Sequence, residues 1–318
     1  MRRKKLGKSG VDISEIAFGG VEIGVPYGIG VHSAEDMLAE RDAIALLHEA
    51  NDRGINFFDT ARLYGESERI MGRAFADRRD KVVLASKCRH FRQEDGKLIS
   101  PAEVKGFVHD SLKESLSQLK TDYIDLYMVH YADREIFGME EVASVFSSLK
   151  EKGIVRTIGV SVYKPEETEI AISSGVWDAI QLPFNLMDQS HGVHFPKAQE
   201  RGVGIIVRSV LMRGMLTDRL KKLHPALEDV EQYIQQYRTM ADDAGFDGLP
   251  QFATQFALSH DAVSSVLVGI DKVAYLEDAI ASASGMYLNN ELLAQAQKMG
   301  YPRPELLNLA EWDKKGWI

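Results

Sequence analysis

Short apolar runs alternate with longer amphipathic segments along most of the chain, and that alternation predicts its elements. EIAFGG (15–20) has the apolar and aromatic content of a strand. ERDAIALLHEANDRG (40–54) repeats its apolar positions at helical spacing and stops at Gly54. The same pairing recurs. INFFD (55–59) predicts a strand and ESERIMGRAFAD (66–77) a helix. KVVLASK (81–87) precedes PAEVKGFVHDSLKESLSQL (101–119), whose proline suits a first helical turn. YIDLYMVH (123–130) precedes MEEVASVFSSLKEKG (139–153), and VRTIGVS (155–161) precedes KPEETEIAISSG (164–175). DAIQLPF (178–184) precedes HFPKAQERG (194–202). VGIIVRS (203–209) is followed, after an insertion, by LPQFATQFALSH (249–260). VSSVLVGI (263–270) precedes KVAYLEDAIASAS (272–284).

Eight strands, each followed by a helix, imply an α/β protein with a parallel sheet and helical crossovers. The near-continuous apolar strands fit burial on both faces. Eight repeats in about 250 residues fit a (β/α)8 TIM barrel. The competing doubly wound sheet usually carries a G-x-G-x-x-G turn after its first strand. Here that position holds GGVEIGVPYGIG, which lacks the spacing, so the barrel is favoured. Three parts lie outside the repeat. The first 14 residues, turning at GKSG, predict a hairpin over the barrel floor. Residues 210–248 form an insertion with its own helix at 228–244. The tail from Asn289 holds a helix and then EWDKKGWI. No Pro/Ser-rich linker divides the chain, so residues 1–318 are expected to form a single domain.

Composition narrows the function classes. In 318 residues, 47 acidic side chains outnumber 38 basic ones, giving a net charge of −9. Such a chain lacks the broad basic footprint of a nucleic-acid binder. One cysteine, Cys88, excludes an internal disulfide and a cysteine-rich metal site, and is expected to be a small packing residue. The basic start MRRKKLGKSG leads into no apolar run, and no segment is apolar enough for a membrane span. A soluble, cytoplasmic protein is expected. His191 and His194 have a loose metal spacing without a third ligand nearby, which favours a surface loop.

In a barrel of this kind, chemistry gathers at the carboxyl ends of the strands. Asp59 ends the second predicted strand, Lys87 the third and His130 the fourth, and Tyr64 follows on the loop after Asp59. Taken singly, Asp59 also suits a turn cap, Tyr64-Gly65 a turn, Lys87 a solvated strand end and His130 a hydrogen-bonded core edge. Four ionisable groups at adjacent strand ends are harder to derive from structure alone. A lysine ammonium would lower a phenol's pKa from about 10. An aspartate would keep that lysine charged, and a histidine would donate to a substrate oxygen. The set suits proton delivery to a developing alkoxide, and hydride with its cofactor is the natural partner of that chemistry.

These residues stand in FFDTARLYGESERIMGRAF, VLASK and LYMVH, followed by KEKGIVRTIGVS, QLPFNLMD, RGMLT and VLVGI. In that order and over most of the chain, the sequence resembles the aldo-keto reductase superfamily. The resemblance implies a (β/α)8 barrel that binds NADP(H) or NAD(H) without a Rossmann domain. It implies catalytic roles for Asp59, Tyr64, Lys87 and His130, with Tyr64 as general acid/base. It also implies that Ser161 and Gln181 bind the carboxamide. The family's asparagine after that serine is Val162 here. Its nicotinamide-stacking tyrosine is Arg208, a planar group that also stacks. Ser209, Leu211, Gly214 and Leu216 match the loop whose backbone approaches the pyrophosphate, and Gly269 and Lys272 match further cofactor contacts. Ala279 stands where asparagine often meets the adenine. Lys272 would face a 2′-phosphate while Asp271 opposes it. Family habit favours NADP(H) over NAD(H).

MVHYAD, IGVSVY, IQLPFNLMDQ and VRSVLMRGML also resemble a bacterial subgroup associated with sugar or polysaccharide metabolism, which implies a carbonyl or sugar substrate. Pocket candidates are Tyr27 in the first loop, Tyr131 and Arg134 after the fourth strand, and Trp312 and Trp317 in the tail. Two alternatives stand beside the reductase. One is a nicotinamide-binding regulatory subunit. The other is a sugar 1-dehydrogenase working mainly in oxidation. Oligomeric state is not legible.

Overall fold

The computed structural model describes residues 1–28, 31, 33–217, 223–283, 285 and 287–317. Ile29 and Gly30 of the first predicted loop, residues 218–222 of the predicted insertion, Ser284 at the end of the last predicted repeat helix, and Ile318 lie outside the described residues.

Two short strands open the chain. β1 (Arg3–Lys5) pairs antiparallel with β2 (Asp12–Ser14). The chain then alternates through β3 (Ile16–Gly19), α1 (Glu40–Asp52), β4 (Phe57–Asp59), α2 (Ser67–Ala74), β5 (Val83–Lys87), α3 (Pro101–Leu119) and β6 (Ile124–Val129). A short helix, α4 (Arg134–Phe137), precedes α5 (Glu140–Glu151). Next come β7 (Val155–Ser161), α6 (Pro165–Ser174), β8 (Ala179–Pro183), α7 (Phe195–Arg201) and β9 (Gly204–Arg208). α8 (Glu228–Asp243) lies in the insertion. α9 (Leu249–Leu258), β10 (Val263–Gly269) and α10 (Val273–Ser282) complete the repeat. α11 (Asn290–Lys298) and α12 (Leu309–Lys314) form the tail. Strands β3 to β10 close a parallel barrel in chain order, with β10 pairing back onto β3. This is the (β/α)8 barrel expected from the alternation.

Strand alternation explains where the polar residues point. Phe57, Val83, Ala85, Leu126, Met128, Ala179, Ile206 and Leu267 fill the barrel interior, with Leu6 and Ile13 of the hairpin closing it from below. Side chains two apart on a strand share a face. Asp59 therefore follows Phe57 on the inside, Lys87 follows Ala85, and Gln181 follows Ala179. Arg208 follows Ile206, and Gly269 follows Leu267. Intervening residues such as Phe58, Leu84, Tyr127 and Ile180 belong to the larger core under the helices.

The unpredicted α4 has a local cause. Asp133 caps it by accepting from the Ile136 amide. A second fit fixes the first loop. A Cβ on Gly24 would come within 1.9 Å of the Tyr64 carbonyl oxygen, so only glycine lets these two loops touch.

Candidate active site

Asp59, Lys87, Tyr64 and His130 meet at the top of the barrel. The Lys87 ammonium is fully buried. It donates to Asp59 Oδ2 at 2.5 Å and to the Thr60 carbonyl at 3.0 Å, and it stands 3.5 Å from the Tyr64 hydroxyl. Gln181 donates to the other Asp59 oxygen at 2.9 Å, so both oxygens are engaged. The Tyr64 and His130 rings meet edge-on at 5.5 Å. His90 stacks on His130 with 4.6 Å between centroids.

The electrostatics differ from the expectation at one point. Burial, followed by the Asp59 carboxylate, raises the Tyr64 phenol well above its ordinary value, against an opposing effect of Arg208. From sequence, Lys87 is expected to lower it. The structure explains the reversal: Lys87 is neutralised at 2.5 Å by Asp59 and makes only a long contact to the phenol, so desolvation prevails. Burial also lowers Lys87 from the usual lysine value, and Asp59 opposes that. His130 is pushed down to about 2, first by burial and then by Lys87, His90 and Arg208. At neutral pH the site therefore holds a protonated phenol and a neutral imidazole.

Asp59, Tyr64 and His130 border a cavity of about 600 Å³, a size suited to a small-molecule ligand, while Lys87 is buried outside its lining. Ser161, Gln181, Arg208, Ser209, Leu211, Gly214, Gly269 and Tyr27 line it. Arg208 lies 4.2 Å over the Tyr163 ring and donates to the Val162 carbonyl. Its guanidinium is thereby held flat beside the position that Val162, itself buried, leaves without an amide. The loop after β9 is conformationally unusual. Ser209, Met212 and Arg213 have φ of 58°, 47° and 55°, and Gly214 has 103°. Left-handed residues beside right-handed ones turn successive N–H groups toward one side, a cradle for anionic oxygens. Arg213 lies 4.9 Å over the Tyr27 ring, tying this loop to the one after β3. Gly269 also accommodates a close neighbour, since a Cβ there would meet Glu22 Oε1 at 1.9 Å. A cavity with a planar cation, amide donors and a phosphate cradle fits a nicotinamide dinucleotide.

Besides Lys87, six expected residues are absent from the cavity lining. Leu216 is fully buried in the core. Lys272 is exposed beside α10, its ammonium 5.7 Å from the Tyr275 ring. The Tyr131 hydroxyl donates to Glu167 and its ring packs edge-on against Tyr163. Arg134 begins α4, away from the lining. Trp312 is a core residue, because the tail folds back onto the helices. Trp317 stacks on His224. The tail aromatics thus pack the fold rather than the pocket. His191 bonds Thr168 and the Tyr163 carbonyl, and His194 pairs with Glu169. Cys88 is buried and its thiol is pushed up to about 12 by burial. Sequence reasoning missed His90, Tyr163, Glu22 and Asp278. None lies in an apolar strand, so strand-end logic had no purchase on them. Among the described residues no helix is long and apolar enough to cross a membrane.

Comparison with known proteins agrees with this architecture. Residues 15–299 match the family model described as aldo/keto reductase family. The uncharacterized oxidoreductase YqkF of Bacillus subtilis is 31% identical over 312 residues, 93% of this chain and 96% of that one. L-Galactose dehydrogenase of Arabidopsis thaliana is 27% identical over 317 residues, 94% of each. The solved holo form of aldo-keto reductase AKR11C1 from Bacillus halodurans superposes with a TM-score of 0.80 at 28% identity, covering 94% of this chain and 96% of that one. With the closed barrel and the cavity at its carboxyl end, these matches establish that the chain belongs to the aldo/keto reductase family of nicotinamide-dependent carbonyl oxidoreductases.

Proposed function

We propose that the protein interconverts a carbonyl compound and its alcohol, with Tyr64 exchanging the proton. The observation that carries this reading is the meeting of Tyr64, Asp59 and His130 at the cavity, with Lys87 buried against Asp59 and Tyr64. When bound, the nicotinamide supplies a hydride to the carbonyl carbon or accepts one from the carbinol carbon. Tyr64 keeps its proton until negative charge develops on the substrate oxygen, because burial disfavours phenolate beforehand. Lys87 faces the phenol and stabilises the phenolate as the proton leaves. Asp59 holds Lys87 in place. Neutral His130 has an N–H for the substrate oxygen. Ser161 and Gln181 hold the carboxamide, and Arg208, seated on Tyr163, provides the flat surface beside the nicotinamide. The loop from Ser209 to Gly214 holds the pyrophosphate. Family habit alone favours NADP(H) over NAD(H).

The likeness to L-galactose dehydrogenase supports a sugar or sugar-derived substrate and keeps oxidation at a hemiacetal carbon as a second reading. A cytoplasmic setting accompanies this reading, supported by a single buried thiol and a net charge of −9. The test is Tyr64→Phe. Cofactor affinity should stay within about twofold while turnover on any working aldehyde, ketone or aldose falls roughly 10²–10⁴-fold. Full turnover in that variant would remove Tyr64 from the chemistry. Absence of turnover in the parent on a broad panel, with binding intact, would favour a regulatory subunit.

A further inference from the structure

Lys87, Asp59 and Gln181 are fixed to one another by hydrogen bonds, but His130 is held differently. Its buried Nδ1 makes no hydrogen bond among the described residues, and the Cys88 backbone acts on the ring without meeting hydrogen-bond geometry. An imidazole turns broadly about its second side-chain torsion. A functional histidine is usually oriented by the bond that its far nitrogen makes. Here two rings take the place of that bond. Tyr64 meets the His130 ring edge-on, with 5.5 Å between centroids and 85° between planes. His90 lies on its face at 4.6 Å and 25°.

The chain presents His90 to this contact from a fixed backbone. After β5, the Cys88 amide donates to the Met128 carbonyl at 3.0 Å. The Arg89 amide donates to the Ser111 hydroxyl of α3 at 3.0 Å. On the other side Phe91 is buried, its ring 5.5 Å from that of Phe107 in the same helix. The His90 side chain between these anchors is exposed and lies outside the cavity lining. Its one specific contact among the described residues is the His130 ring. It is covered enough that desolvation lowers its pKa from the usual value. Both imidazoles are therefore neutral at pH 7 and stack without charge repulsion.

We infer that His90 is a positioning residue for the carbonyl chemistry, whose ring braces His130 against Tyr64 and so aims the His130 N–H at the substrate oxygen. The brace works by aromatic contact, without proton transfer and without touching the substrate. It rests on the reading of His130 as a donor to that oxygen.

Kinetics and histidine NMR of the full-length protein test it together. An aromatic contact of this kind is worth a few-fold to about tenfold in rate. His90→Ala should therefore lower kcat roughly three- to tenfold. KM and the dissociation constant of the reduced cofactor should stay within about twofold, and the melting temperature within about 2 °C, because an exposed ring with one contact adds little to folding. His90→Phe, which keeps a flat ring, should restore kcat to within about twofold of the parent. In ring-labelled protein the His130 resonances should shift and broaden in His90→Ala as the stacked ring is lost. Parent kcat in His90→Ala overturns the inference. An equal loss in His90→Phe assigns the effect to the imidazole nitrogens and overturns the brace. A rise in KM at unchanged kcat makes His90 a substrate contact instead, and a fall of many degrees in melting temperature makes it a folding residue. If the parent turns over no carbonyl compound, the proposed function fails, whereas an unchanged His130 resonance in His90→Ala overturns the brace alone.

Discussion

Asp59→Asn isolates the ion pair on which the site is built. Lys87 and Asp59 are both nearly fully buried, and their charged atoms are 2.5 Å apart. At an effective dielectric constant of about 20, that separation corresponds to roughly 6–7 kcal/mol of attraction before desolvation is subtracted. Asparagine keeps the shape and an oxygen for Lys87 but leaves the ammonium without a counter-charge. The Thr60 carbonyl, 3.0 Å away, offsets only part of that loss. Removing one member of a buried pair typically costs about 3–5 kcal/mol, and about 3 is expected here because the neutral amide remains a partner. The pH dependence supplies a sharper signature. Burial already lowers Lys87 below the free value of 10.5, and Asp59 works against that lowering. In the variant the depression deepens. A base depressed in the folded state binds fewer protons there than in the unfolded chain, so stability rises with pH. The deficit of Asp59→Asn should therefore be full near pH 6 and shrink steadily toward pH 10 as Lys87 loses its proton. Urea unfolding followed by tryptophan fluorescence from pH 6 to pH 10 measures it, with Lys87→Met/Asp59→Asn as the cycle partner. The double variant should recover part of the loss, since the unpaired charge is gone. A deficit below about 0.5 kcal/mol, or one that is flat in pH, would refute the account of a buried, charged Lys87 held by Asp59.

Three further outcomes follow from particular contacts. Gly24→Ala drives a methyl into the Tyr64 carbonyl, 1.9 Å from the ideal Cβ position. It should lower the melting temperature by several degrees and cut kcat more than it raises KM, because the displaced loop carries the phenol. His130, pushed down to about 2, should show no imidazole titration between pH 5 and pH 9 in an NMR experiment on labelled histidine. The unfolded chain takes up that proton below about 6.5, so His130 contributes to loss of stability as pH falls through that range; a midpoint near 6.5 in the folded protein would contradict the burial argument. Trp312→Ala should cost about 3–5 kcal/mol in unfolding while KM for any substrate changes less than twofold at a temperature where the variant is folded, since the indole is core and not pocket. A large KM change with normal stability would return the tail to the substrate site.

The repeat itself was legible because its physics is local. Apolar runs of five to eight residues must be buried on both faces, and the amphipathic segments between them must cover those faces. Eight such pairs leave few arrangements other than a closed barrel. The helix at 101–119 matched residue for residue because proline at its first turn and the Ser100/Glu103 capping box fix its start within four residues of chain. Asp59, Lys87 and His130 were legible for a related reason. Each follows an apolar strand, and strand alternation carries the interior face two residues on to the polar rim.

What lay outside that local logic was decided by the tertiary structure. Trp312 looked like a pocket aromatic in the tail, yet the chain folds back and buries it. Tyr131 follows the fourth strand, but its hydroxyl is taken by Glu167, 36 residues away. The direction of the Tyr64 shift depended on how completely Asp59 engages Lys87, which no spacing encodes. The sequence by itself determined the barrel and the four residues at its rim, because strand periodicity and burial are properties of neighbouring residues. The tertiary structure alone decided which side chains share the cavity and how burial tunes them, because those depend on distances between residues far apart in the chain.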